Sequence, residues 1–134
     1  MPKEDYLLKY LEKLSRVIEA MTGFLDKGFP DDGLRLADET YKEMLDINLE
    51  ELTGMPVELF IERVRKENYN SSYLQAFAQI THETADSFFS VGNETNAQLF
   101  YIKALQLYYL LNEKDRTFSF ERELIITKLN QLIN

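Results

Sequence analysis

Leu7, Leu11, Leu14, Ile18, Met21 and Leu25 recur at alternating steps of four and three, with Tyr10, Val17 and Phe24 beside them. That spacing gathers apolar side chains on one broad face and predicts a first helix from about Lys3 to Asp26. In the next stretch, Lys27-Gly28-Phe29-Pro30-Asp31-Asp32, Gly28 suits the left-handed position just past a helix. Pro30 suits the first turn of the next helix, and the two aspartates suit the positive end of its dipole. A second helix, about Pro30 to Asp46, turns Leu34, Ala37, Tyr41, Met44 and Leu45 inward. It packs antiparallel on the first, with Gly33 and Ala37 small enough for close approach.

Asn48 is a good N-cap for a short turn, Leu49 to Leu52, which Thr53-Gly54-Met55-Pro56 stops. A helix from Val57 to about Glu67 then buries Leu59, Phe60 and Val64. Asn68-Tyr69-Asn70-Ser71-Ser72 is the most loop-like piece of the chain and the natural place for a hinge. From Ser72 to Val91 a further helix carries Leu74, Phe77, Ile80, Thr84, Ala85 and Phe88 on one face. Gly92-Asn93 ends it, a fifth helix starts at Asn93 or Glu94 and stops at Asn112-Glu113-Lys114-Asp115, and a last helix from about Phe118 to Leu132 presents Leu124, Ile125, Leu129 and Leu132. No segment alternates with the period of a strand. The expectation is an all-α fold: antiparallel helical hairpins in a tetratricopeptide-like array or bundle of five to six helices, one domain over residues 1–134.

The organising stretch is Ala97 to Leu111, AQLFYIKALQLYYLL, in which only Gln98, Lys103 and Gln106 break the apolar and aromatic surface. A helix apolar around most of its circumference needs cover on several sides. It is therefore either the centre of the domain or half of a subunit interface, and the second alternative carries the expectation of a homodimer.

Two parts of the chain echo each other. Phe88, Gly92, Ala97 and Tyr101 repeat the intervals of Phe24, Gly28, Gly33 and Ala37, and Ala85 and Ala104 extend the second set. The glycines make turns, the small residues let paired helices approach, and Phe88 and Tyr101 fill the space between them. This pattern resembles the small and aromatic positions of the tetratricopeptide repeat. Thr81 and Thr84 stand at the repeat's early Trp and Leu positions, Tyr109 at its closing Pro, and the echoes lie 64 residues apart. The first fifty residues also resemble a poorly characterised family of small bacterial proteins with divergent tetratricopeptide-like helices. The matching features are the N-terminal aromatic and leucine helix, the turn at Gly28, the small residues Gly33 and Ala37, and Met44-Leu45-Asp46-Ile47-Asn48-Leu49. The resemblance implies a helical scaffold and brings no catalytic residues.

Composition narrows the function. The chain has 134 residues, 45% hydrophobic, with eight Tyr, nine Phe, five Gly and three Pro, which suits one well-packed core. The absence of cysteine removes disulfides, thiolate nucleophiles and Cys-based metal sites, and fits a reducing compartment. The charged N-terminus reads as no signal peptide, so the expected address is the cytoplasm. The longest apolar run, Leu99 to Leu111, is 13 residues and contains Lys103, too short to span roughly 30 Å of hydrocarbon. A net charge of −8 speaks against nucleic acid and anionic membranes as partners. Residues 1–67 hold 16 acids and 10 bases, residues 68–134 only 7 and 5, so the second half is the more buried.

His82 is the only histidine. It precedes Asp86 by four residues and shares its helical face, an arrangement open to a metal or a proton, while Glu83 points elsewhere and the HExxH pattern is absent. The plainer expectation is a surface histidine beside an acid. In a repeat-like fold Gln79, His82, Asp86 and Phe89 face the inner groove, where such repeats take peptides. Phe88, Tyr101, Tyr108, Tyr109 and Leu111 are the candidates for a pocket or interface, since a phenol joins an apolar body to a polar tip. Asp31-Asp32 and Glu50-Glu51 read as helix-start acids. Arg63, Arg65 and Lys66, interleaved with Glu62 and Glu67, read as helical ion pairing. Asn70-Ser71-Ser72 and Asn93-Glu94-Thr95 read as cap chemistry. The expectation is a non-enzymatic interaction scaffold with a protein or peptide partner and no metal or cofactor. The alternative is a small-molecule sensor with an aromatic pocket, and an enzyme acting through His82 and Asp86 comes last.

Overall fold

The computed structural model describes residues 3–134, with side chains from residue 7 onward; Met1 and Pro2, where the expected domain begins, lie outside the described residues. The described residues form helices α1 (Lys3–Lys27), α2 (Pro30–Leu45), α3 (Leu49–Thr53), α4 (Val57–Glu67), α5 (Ser71–Ser90), α6 (Glu94–Lys114) and α7 (Phe120–Leu132), with no strand among them. The all-α expectation therefore holds as a bundle of seven helices, the short turn after Asn48 being a helix in its own right.

Local hydrogen bonds set most of the boundaries. Asn48, Asn70 and Asn93 each turn a side-chain oxygen onto the amide three residues on, at 2.8, 2.9 and 3.0 Å, capping α3, α5 and α6. Ser119 caps α7 in the same way, so that helix starts two residues later than the apolar pattern predicts. Gly28 and Gly92 sit at φ 83° and 84°. The Phe29 amide closes onto the Phe24 carbonyl at 2.7 Å, and the Asn93 amide onto Phe88 at 2.9 Å. The two echoed turns are thus built alike, each with the left-handed residue that a tight helix end requires.

Antiparallel hairpins α1/α2 and α5/α6 stack so that α5 meets both α1 and α2, while α6 meets α4, α5 and α7. Gly33 lies at the junction: a methyl group there would stand 3.3 Å from Ser87 Oγ of α5. One contiguous core runs through the layers, from Leu14 and Met21 through Tyr41, Phe77 and Ile80 to Phe100, Leu107 and Ile126. Each such side chain removes enough apolar surface from water to stabilise the fold by roughly 2 kcal/mol. At its centre the fully buried Tyr41 hydroxyl meets Thr81 Oγ1 at 3.2 Å and Thr84 Oγ1 at 3.0 Å. Both threonine hydroxyls also donate to carbonyls one turn back, Phe77 and Ile80.

Several expectations change. α6 is wrapped within the protomer: Tyr108 is 2% and Leu111 0% exposed. The argument for a homodimer through that helix therefore loses its basis. Lys103, expected to interrupt the apolar surface, is itself buried. Its ammonium donates to the Met55 carbonyl at 2.9 Å and lies 5.8 and 5.4 Å from the ring centres of Phe60 and Phe100. Leu59 and Leu124 are exposed rather than buried, and Ile126 takes the inward position on α7 because the register onto α6 places it there. The segment expected to hinge is tied down, with the Tyr69 hydroxyl on the Met44 carbonyl at 2.7 Å and its ring packed on Tyr73 and Phe77. No described helix is long and apolar enough to cross a membrane.

Candidate functional site

α5 and α7 both lie against α6 but stand apart from each other, which leaves a cleft of about 360 Å³ between them. Its α5 wall is Gln75, Gln79, His82, Glu83 and Asp86; Tyr108 of α6 contributes from below. The α7 side brings Ser119, Glu121, Arg122, Ile125 and Lys128. Helical geometry explains both walls: steps of three and four from Gln75 to Asp86 make one stripe along α5, and Arg122, Ile125 and Lys128 make the facing stripe.

The polar groups are held from outside the cleft. Asp86 accepts the Tyr101 hydroxyl at 2.6 Å, and Glu83 accepts the Thr22 hydroxyl of α1 at 3.0 Å. His82 Nε2 has no hydrogen-bond partner and stands 3.9 Å from Asp86 Oδ2, beyond hydrogen-bond reach, with its ring edge-on to Tyr101. Burial lowers the His82 pKa, against the pull of Asp86 and with a push from Lys128, which favours the neutral ring. Burial raises the Glu83 pKa; the Thr22 bond opposes this, and Asp86 and Asp26 add to it. The Tyr108 phenol is pushed up to about 12 by burial and by Glu83, against the pull of Arg122, so it is neutral. Arg122 is nearly buried and engaged by Asp115 Oδ2 and Asn112 Oδ1, both at 3.0 Å, which fixes the α6–α7 corner. The arrangement offers ionic and hydrogen-bond recognition along a line.

Three of the four expected groove residues, Gln79, His82 and Asp86, come together here. Phe89 does not: it is 57% exposed, beyond the end of the stripe. His82 is mostly buried, so the expectation of a surface histidine is corrected, and Glu83, expected to point elsewhere, lines the cleft. Of the expected aromatic pocket only Tyr108 lines the cleft. Phe88 packs on Phe100 at 5.3 Å between ring centres, and Tyr101 is core except for its hydroxyl. Tyr109 is 39% exposed, its hydroxyl accepting from Asn130 of α7 at 3.4 Å, and Leu111 reaches no surface.

Of the α7 lining only Ile125 is singled out by sequence, and only as part of an apolar face, although the three-residue spacing of Arg122, Ile125 and Lys128 is a usable signal. Among the described residues no group of three or more His, Asp or Glu side chains is placed to hold a metal. Arg63 pairs with Glu67 and Arg65 with Glu113, as the helical ion-pair reading of that cluster expects for the first.

Comparison of the chain with protein-family models, with curated proteins and with solved structures returns no match.

Proposed function

We propose that this chain is a non-catalytic, cytoplasmic, tetratricopeptide-like interaction module that takes a segment of a partner protein in the cleft between α5 and α7. The observation that carries the reading is the cleft itself, where two helices share a neighbour, leave a polar channel between them and line it with side chains in register. The stacking order supports the repeat-like description, with α1/α2, then α5/α6, then α7. α3 and α4 come between the hairpins in chain order and account for most of the excess of the 64-residue interval over a repeat of roughly 34. In such arrays the first helices of successive units line the concave face, the role this reading gives to α5 and α7.

A photo-crosslinking residue at Gln79, compared with one at the exposed Glu58 of α4, tests the reading in host cells. One partner is expected to be captured from Gln79 and not from Glu58. Equal capture from both positions, or none from Gln79, refutes it.

The alternative, a small-molecule sensor, draws support from a second hollow of about 300 Å³ over Val64, Leu74 and Leu110. A metabolite that raises the melting temperature by mass action, with no partner captured at Gln79, would decide in its favour.

A further inference from the structure

Partly buried carboxylates ordinarily acquire a positive partner or several donors, because a charge withdrawn from water is costly when left alone. The two on the α5 wall have neither. Glu83 receives one neutral hydroxyl, from Thr22, and Asp86 one neutral hydroxyl, from Tyr101. Among the described residues no lysine or arginine comes within ion-pair distance of Glu83, Asp86 or Glu121. Arg122 is committed to Asp115 and Asn112, and His82 beside Asp86 favours its neutral form. Lys128, on the opposite wall, acts on Glu83 without contact.

The cleft is therefore anionic along α5 and only weakly balanced across it. It is also long. From Gln75 to Asp86 the α5 stripe covers about 16 Å, room for about five residues of extended chain, more than a compact metabolite uses. Gln75 and Gln79 add amide donors and acceptors at the exposed end, as a passing backbone would need.

Resting on the reading of the cleft as a partner groove, we propose that its occupant is a short extended segment of a partner protein that delivers a lysine or arginine side chain to Glu83 and Asp86. Asp86 Oδ2 and Glu83 Oε2 are the acceptors, and the Tyr101 and Thr22 hydroxyls hold the other oxygen of each carboxylate in place. A guanidinium suits two carboxylates one helical turn apart, since its donors form a planar fork. Lys128 opposes the incoming charge and sets the limit on affinity.

The test selects peptides from a random-sequence display library on the full chain. Binding of a selected peptide, and of versions with its basic residue changed to Gln or Glu, is then measured by fluorescence anisotropy. Melting curves verify that every variant is folded. The basic peptide is expected to bind. Glu83→Gln with Asp86→Asn should weaken it about tenfold or more. Glu58→Gln with Glu62→Gln, which removes the same charge from exposed α4, should change it by less than about twofold. Lys128→Gln should strengthen it.

A selected peptide that Gln79→Trp blocks, yet that prefers Gln or Glu at the key position or ignores the Glu83 and Asp86 changes, overturns the cationic occupant and leaves the groove standing. Peptides that bind regardless of Gln79→Trp, or a library that yields none, overturn the groove and the occupant together.

Discussion

Lys103 offers the sharpest check on how this core is held. Its side chain is 1% exposed at the middle of α6, and the structure gives its ammonium one oxygen, the Met55 carbonyl, and two ring faces, Phe60 and Phe100. Taking an ammonium out of water costs several kcal/mol. A hydrogen bond to a charged group returns about 1.5–3 kcal/mol, and each ring about 0.5–2 kcal/mol. These opposing terms are of one size, so the discriminating quantity is the pH dependence of stability rather than its value at one pH. Burial lowers the Lys103 pKa in the folded chain, and among the described residues no acid pairs with its ammonium. At acid pH both folded and unfolded chains hold the proton and the penalty is present in full. As pH rises, the folded chain releases the proton first, the unfolded chain binds more, and stability increases until the unfolded value near 10.4 is passed.

Lys103→Met keeps the length and the apolar stem and removes the titration. Urea unfolding followed by far-ultraviolet circular dichroism, from about neutral pH to about pH 10, should show the wild-type chain gaining on the variant. The slope cannot exceed about 1.4 kcal/mol per pH unit for one proton, and each kcal/mol is worth about 4 °C in melting temperature at this size. Tyr41 and Tyr108, both pushed up to about 12 by burial, destabilise either protein once the unfolded tyrosines ionise near pH 10, and they cancel in the difference. Two parallel stability curves, or a wild type that loses ground as pH rises, would show that Lys103 is hydrated or ion-paired and refute the account.

Tyr41→Phe should cost only about 1 kcal/mol, because Thr81 and Thr84 keep their bonds to Phe77 and Ile80; a loss above about 3 kcal/mol by urea titration would mean that both threonines depend on the phenol. Gly28→Ala and Gly92→Ala should each cost about 1–2 kcal/mol, by equal amounts, since both positions are left-handed and neither methyl group would meet another atom; a neutral result for either in thermal melts contradicts the turn argument. Glu83→Gln should melt above the wild type at neutral pH. The raised carboxyl pKa means that stability is lost as the group ionises, so the difference should vanish below about pH 4; a variant that melts lower at neutral pH would show that the charge is welcome where it stands.

What was legible from sequence divides along a physical line. Asn48, Asn70, Asn93, Gly28 and Gly92 act on backbone groups within a few residues, and the structure places all five in the expected roles. The inward faces of α2 and α5 were likewise readable, because each has one apolar stripe and a polar remainder. α7 was not: Leu124, Ile125, Ile126 and Leu129 surround the axis, and only docking onto α6 chooses Ile126 and Leu129 over Leu124. Lys103 failed for a related reason, since its carbonyl and one of its rings come from Met55 and Phe60, more than forty positions away. The cleft shows both behaviours at once. Its α5 wall follows from helical spacing within one segment, whereas its existence depends on how far α6 holds α7 from α5, a distance set by packed side chains from three helices. One helix can announce which residues are offered to a partner; whether they face a channel or another helix is decided by the neighbours.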